Sequence, residues 1–241
     1  MKIKFQKLGF LISIILTFFV FGVAKAHATE YYVDPLGTND ASHGTSSGAG
    51  AWQTIAYALS HVTNPTTDTI VINIAAGTYI QNNVDLSINR SFTNLTLKGD
   101  SASNTFIQSA ASTATSTSRV IYIGDNQNIT LQNLTIRYGR GESGAGISQT
   151  NYATTLNILD CVIDDNDYSG WGAGGINNRG NLNINNSTIS NNDCGDSSCG
   201  GGLGVSTYNH PELTTKVTNS TFYKNSSPTA EALSPWSLML I

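Results

Sequence analysis

Between residues 137 and 198 the chain gathers carboxylates, aromatic rings and a few bases at a repeating interval. The segments are RYGRGES (137–143), DDNDYSGW (164–171) and NNDCGDSS (191–198). They carry Glu142, Asp164, Asp165, Asp167, Asp193 and Asp196 beside Tyr138, Tyr168 and Trp171. Carboxylates with backbone carbonyls could hold Ca2+, a hard cation that takes oxygen ligands. Flat rings could stack on sugar faces. The candidate binding set for a glycan or for calcium is therefore Asp164, Asp165, Asp167, Tyr168, Trp171, Asp193 and Asp196. The same residues equally suit a solvated acidic rim, because turns favour Asp and Asn for backbone reasons.

Catalytic chemistry is less well marked. An inverting glycoside hydrolase needs two carboxyls roughly 6.5–9.5 Å apart. Asp160 with Asp164 or Asp165 could be placed so, but many Asp-rich repeats offer such a pair. His43, His61 and His210 are isolated, and isolated histidines carry no relay. Cys194 and Cys199 lie in the glycine-rich run NDCGDSSCGG and could close a small disulfide in an oxidising compartment. Zinc is the weaker reading, because no His or second Cys pair is near. Cys161 aligns with Ser187 and Ser220, as a small buried residue at a bend would.

What must position these residues is a repeat. It reads LQNLTIRYG (131–139), ILDCVIDDN (158–166), INNSTISNN (184–192) and VTNSTFYKN (217–225). Ile136, Ile163, Ile189 and Phe222 form one column, at spacings of 163−136 = 27, 189−163 = 26 and 222−189 = 33. A second anchor follows each phrase, at Ile147, Ile176, Leu203 and Leu233, mostly behind glycines. Periods of this size mean stacked units that bury a face only against their neighbours. Apolar pairs two apart, Leu156 with Ile158 and Leu182 with Ile184, show the strand period. Eight of the sixteen residues from Asn177 to Asn192 are Asn, which argues against helix. Asn133, Asp160, Asn186 and Asn219 fill a further column, and parity points Asn186 inward as part of a stacked amide ladder. Asp160 needs Asn neighbours as donors in that column. Gly139, Asn166, Asn192 and Asn225 fit left-handed turn positions.

The front end reads as a short amphipathic helix over 51–62, then strand-like DTIVINIAAGTYI (68–80), FTNLTLKG (92–99) and SRVIYIG (118–124). A helix at one end would cover the exposed first rung. The stretch from YYVDPLGTNDASHGTSSGAGAWQTIAYAL through DTIVINIAAGTYI to the repeated NLTI/NSTI–N–GGGI units resembles the right-handed parallel β-helix proteins of the pectin-lyase-like superfamily. It is most similar to their secreted repeat members, including those similar to polymorphic outer-membrane adhesins. The resemblance spans nearly all of 30–233. It implies an all-β, single-stranded solenoid with an N-terminal capping helix, and it says little of activity, because the superfamily hosts lyases, hydrolases, adhesins and stalks. A lyase of this type implies a base beside a calcium-bound uronate, and Arg137 and Arg140 are the bases near the acidic loops. The polygalacturonase motifs are absent.

Residues 1–28 read as a signal peptide: Lys2, Lys4 and Lys7, an apolar core over Leu8–Ala24, then Ala26-His27-Ala28. The core is short for a span, which takes roughly 20 residues, so no membrane segment is expected after cleavage. Cleavage would remove four of the 12 basic residues and none of the 16 acidic ones, leaving 8 − 16 = −8. That balance argues against nucleic acid and against unaided capture of polyanionic uronate polymers. Sequons at Asn94, Asn128, Asn133, Asn185, Asn186, Asn219 and Asn225 are mostly by-products of the repeat. Residues 29–241 form one β-helix domain, read as incomplete at its C-terminus because the last phrase loses its glycines and ends on SLMLI. The expected function is that of a secreted or cell-surface scaffold or adhesin with a glycan-contacting face. Its partner would be an extracellular polysaccharide or cell-surface glycan. The alternative is a polysaccharide lyase or glycoside hydrolase, or a fragment of one.

Overall fold

Each coil begins with a strand in which alternate residues are apolar and mostly β-branched, so one edge turns inward and the other outward. In the computed structural model, which describes residues 28–228 apart from 64, 126–127, 142–143, 169, 171 and 196–198, these strands stack in parallel. The first sheet holds β1 (Thr29–Val33), β2 (Thr69–Ile74), β5 (Asn94–Gly99), β8 (Asn128–Gln132), β11 (Thr155–Leu159), β15 (Asn181–Asn185) and β19 (Thr215–Thr218) in that order. The second holds β3 (Gly77–Ile80), β6 (Thr105–Gln108), β9 (Thr135–Arg137), β12 (Val162–Asp164), β16 (Thr188–Ser190) and β20 (Thr221–Tyr223). The third holds β4 (Leu86–Ile88), β7 (Ile121–Ile123), β10 (Ile147–Gln149), β14 (Ile176–Asn178) and β18 (Leu203–Val205). One coil runs first sheet, second sheet, third sheet and back. The fold is a parallel β-helix. The predicted leader before Ala28 and the tail beyond residue 228, with the anchor Leu233, lie outside the described residues.

The repeat columns are the rungs. Ile136, Ile163, Ile189 and Phe222 are paired in register, as are Ile147, Ile176 and Leu203. Ile70, Leu95, Ile129, Leu156 and Leu182 form one buried stack, and Ile72, Leu97, Leu131, Ile158 and Ile184 another. Each such side chain contributes about 1.5–3 kcal/mol on burial, so the core is a sum over rungs. Two third-sheet positions replace the apolar residue by an amide. Gln149 accepts from the backbone N–H groups of Arg179 (2.9 Å) and Gly180 (2.8 Å), and Asn178 donates to the Gly180 carbonyl (2.6 Å), so both secure the turn at 179–180.

The capping helix α1 spans Ile55–His61, shorter than the predicted 51–62. Trp52 is instead drawn into a parallel bridge with Val33, and Thr54 caps the helix by accepting from the Tyr57 N–H. Ile55, Ala58 and Leu59 are buried. Arg90 donates to the carbonyls of Leu59 (2.8 Å) and Val62 (3.0 Å), satisfying the helix C-terminus.

The predicted ladder column is corrected. Asn133, Asp160, Asn186 and Asn219 have φ of 57, 55, 49 and 50° and sit at left-handed bends with their side chains outward. Asn tolerates that backbone, and the bend it makes reverses the parity that seemed to point Asn186 inward. The inward place at this bend goes to the next residue, with Cys161 buried, and Ser187 and Ser220 accepting from the backbone N–H one coil earlier. The buried ladder is the other column. Asn166 donates to Asn192 Oδ1 and Asn192 to Asn225 Oδ1, both at 2.9 Å. The Nδ2 groups of Asn166, Asn192 and Asn225 also donate to the carbonyls of Ile136, Ile163 and Ile189 in turn. The left-handed residues there are one position earlier, at Tyr138, Asp165, Asn191 and Lys224. In the outer column Asn186 does donate to Asp160 at 2.6 Å, so Asp160 finds the amide donor it requires.

Candidate functional site

The acidic loops do not converge on one point; the backbone sorts them onto two surfaces. Asp167 and Tyr168 form a short strand, β13 (Asp167–Tyr168), paired with β17 (Asp193–Cys194). Arg140 lies beside Asp167, its Nε 3.4 Å from Oδ2, and Ser226 donates to Asp193. Tyr168 is only 5% exposed and packs with Ala145, Cys194 and Cys199. Its ring therefore supports the loops and offers no face to a sugar, which corrects its place in the predicted binding set. Cys194 and Cys199 are joined, with Cα atoms 6.1 Å apart, and Cys161 is the buried free thiol. Burial pushes the Cys161 thiol up to about 12, since a thiolate there would lie among apolar neighbours. Trp171, Asp196 and Glu142 lie outside the described residues. Among the described residues, no group of three or more His, Cys, Asp or Glu side chains is placed to hold a metal ion.

Asp164 and Asp165 belong to the other surface, the outer face of the second sheet. The residue after each inward-facing side chain of that sheet, mostly isoleucine, lies at the strand's end on the opposite face. Register therefore lines up Ile80, Gln108, Arg137, Asp164, Ser190 and Tyr223, one per rung. Rungs are about 4.8 Å apart, so an amide, a guanidinium, a carboxylate and a hydroxyl stand in file at that interval. Gln108 is buried and donates to the Ala110 carbonyl at 2.9 Å. Its Oε1 accepts from Arg137 Nε at 3.0 Å. The Arg137 guanidinium lies 4.2 Å from the Phe106 ring centre and 4.6 Å from that of Tyr138. Two rings and one amide fix the side chain, and its terminal amino groups make no hydrogen bond to a described residue, a geometry suited to a carboxylate or a polarised carbonyl. On Asp164, Ser190 Oγ (2.6 Å) and Asn191 Nδ2 (2.8 Å) both donate to Oδ1. They orient the carboxylate and leave Oδ2 without a hydrogen-bond partner among the described residues. Asp165 sits on the left-handed bend that follows. Its carboxyl is pushed above the usual range, first by partial burial and then by the Asp164 charge, against an opposing pull from Arg137. Thr113, in a short 3₁₀ turn, donates to the Asp165 carbonyl at 2.9 Å and holds the loop over the file.

Arg137, Asp164 and Asp165 stand out in the sequence by their charge, whereas Gln108 and the alignment of the four do not. The signal was available as the position immediately after the 107/136/163/189 isoleucine column, which reads Gln, Arg, Asp, Ser.

Fold and face together define a parallel β-helix protein with a polar, arginine-centred file on one sheet. A family model described as Pectinesterase matches residues 43–154, less than half of the 241-residue chain. No curated protein matches the chain. Among solved structures, the chain is similar to pectin methylesterase from carrot, at 14% identity and TM-score 0.45 over 80% of this chain and 63% of that one. It is also similar to pectin methylesterase PemA from Erwinia chrysanthemi, at 18% identity and TM-score 0.46 over 80% and 66%. The chain thus spans just under two thirds of the length of each.

Proposed function

We infer that this protein acts on an extracellular polysaccharide of the pectin class, hydrolysing carboxyl esters on its uronate units at the file of Gln108, Arg137 and Asp164. The observation that carries the reading is the Pectinesterase family match over 43–154, a segment that supplies Gln108 and Arg137. Charge supports it. The chain has 16 acidic and 12 basic residues, which disfavours a polyanion but not a polymer neutralised by methyl esters.

The chemistry follows from the file. Asp164 Oδ2 takes a proton from a water that attacks the ester carbonyl carbon. Arg137, one rung away, meets the negative charge that develops on the carbonyl oxygen. Asp165, whose carboxyl pKa is raised by partial burial and by the Asp164 charge, gives a proton to the departing methoxide. The bond between the carbonyl carbon and the methoxy oxygen breaks, methanol leaves and the uronate carboxylate remains. Methanol release from methyl-esterified pectin tests this. Asp164→Asn is expected to lower kcat at least about a hundredfold, the usual worth of a positioned base.

A second reading, a non-catalytic scaffold or adhesin that binds the same polymer, is favoured by one observation. The family match stops at residue 154, before Asp164, which is the first carboxylate in the file. Binding of pectin by the wild-type protein with no methanol released would decide for it.

A further inference from the structure

The outer face of the first sheet carries a second file, near the capped end. Tyr32, Asn73 and Lys98 are paired in register on β1, β2 and β5. They line a cleft of about 300 Å³ together with Asp34, Asp100 and Asn133. That volume is at the small end of ligand clefts, roughly 300–1,000 Å³, and suits a single sugar ring.

The polar groups are held, and several remain available. Glu30 accepts from Tyr32 (3.0 Å) and from Asn73 (3.2 Å), fixing the ring and leaving the Asn73 carbonyl oxygen outward. The Leu36 N–H occupies Asp34 Oδ1, and Asn104 occupies Asp100 Oδ2, so each carboxylate keeps its other oxygen. The Lys98 ammonium makes no hydrogen bond or ion pair with any described residue. At the mouth, a Cβ on Gly48 would meet nothing within 4 Å, so the loop leaves the opening clear.

We propose that this cleft is a sugar-binding subsite for an uncharged unit, such as a methyl-esterified uronate, separate from the file on the second sheet. The Tyr32 ring offers a stacking face, Asp34 and Asp100 accept from sugar hydroxyls, and Lys98 donates to a carbonyl or ring oxygen. Two carboxylates against one ammonium make the cleft repel a free uronate. The corner bend carrying Asn133 borders the cleft and leads within four residues to Arg137, so a bound chain would be anchored beside the second-sheet file. The choice of polymer rests on the proposed function; the cleft's chemistry does not.

The test is titration calorimetry with oligogalacturonides of one length, methyl-esterified and free-acid, on wild-type protein and on Lys98→Ala/Asp100→Asn. The esterified ligand is expected to bind wild type at least about fivefold more tightly than the free acid. The double variant is expected to lose about tenfold for the esterified ligand, the scale of one charge-assisted hydrogen bond, at an unchanged melting temperature. Methanol release is read on the wild-type protein. Unchanged affinity in the double variant, preference for the free acid, or no binding by wild type overturns the subsite. Loss of the subsite with methanol release intact leaves the esterase reading standing. Normal binding with no methanol release sinks the esterase reading alone.

Discussion

Two asparagine columns of similar spelling have opposite physical roles. The outer one, with Asn186, exists because a non-glycine residue must adopt positive φ at the bend. The inner one, with Asn192, exists because buried carbonyls and N–H groups of neighbouring coils need partners. Asn192→Leu strands the Ile163 carbonyl and the Asn166 N–H and is expected to cost about 3 kcal/mol or more. Asn186→Leu removes an exposed bond to Asp160 and puts a branched side chain in the left-handed region, at about 1–2 kcal/mol. Urea denaturation of both variants checks this, and equal midpoints would remove the inner ladder. The cysteines give a second test at the same scale. Native protein should take up no alkylating agent, because the Cys161 thiol is buried and pushed up to about 12 and the other two are bonded. Denatured but unreduced protein should take up one equivalent, at Cys161. Three equivalents would mean that Cys194 and Cys199 are not joined.

At the scale of elements, the loops after the second sheet show how strand pairing redistributes charge. β13 and β17 put Asp167 and Asp193 side by side, and each carboxylate has its own partner, Arg140 and Ser226. A solvated rim is therefore expected, with calcium shifting the melting temperature no more than an equal ionic strength of sodium chloride. A calcium-specific rise abolished in Asp165→Asn/Asp167→Asn would place a cation there. Asp165 also sets a sign. Its carboxyl pKa is raised on folding, so the protonated form is favoured in the native state. The cost is absent below the unfolded value of about 3.9 and appears as pH rises through the raised one. Asp165→Asn should thus melt no lower than wild type near neutrality, with the advantage gone in acid. Asn tolerates the local φ of 51° at least as well as Asp.

The whole molecule is a one-dimensional stack, so its stability is a position-dependent sum. Ile163 is fully buried between β9 and β16, whereas Val217 and Phe222 in the last described coil are only partly buried. Ile163→Ala is expected to cost about 2–5 kcal/mol, and Phe222→Ala less, despite the larger side chain removed. Hydrogen exchange should show the same gradient, with amides of β19 and β20 opening before those of β11 and β12. Uniform protection along the stack would contradict it. No helix among the described residues is long and apolar enough to cross a membrane.

The fold was legible in the sequence because a solenoid repeats its register. The 136/163/189/222 column, the 147/176/203 anchors and the strand period are local patterns that survive any error in the bends, and all fell in register. Cys161 at a buried bend was legible for the same reason. The direction of each asparagine was not. A single left-handed residue reverses inside and outside for everything after it, and φ is set jointly by the coils above and below. The candidate site was half legible. Arg137, Asp164 and Asp165 stood out by charge, but Gln108 carries none, and Tyr168 looks like a sugar platform until the loops close over it. Tyr32, Asn73 and Lys98 lie 41 and 25 residues apart in sequence and are neighbours only because parallel pairing stacks them. Residue types determined what chemistry was available. Coil stacking, which places one residue per rung at a fixed interval, decided which of those residues share a surface.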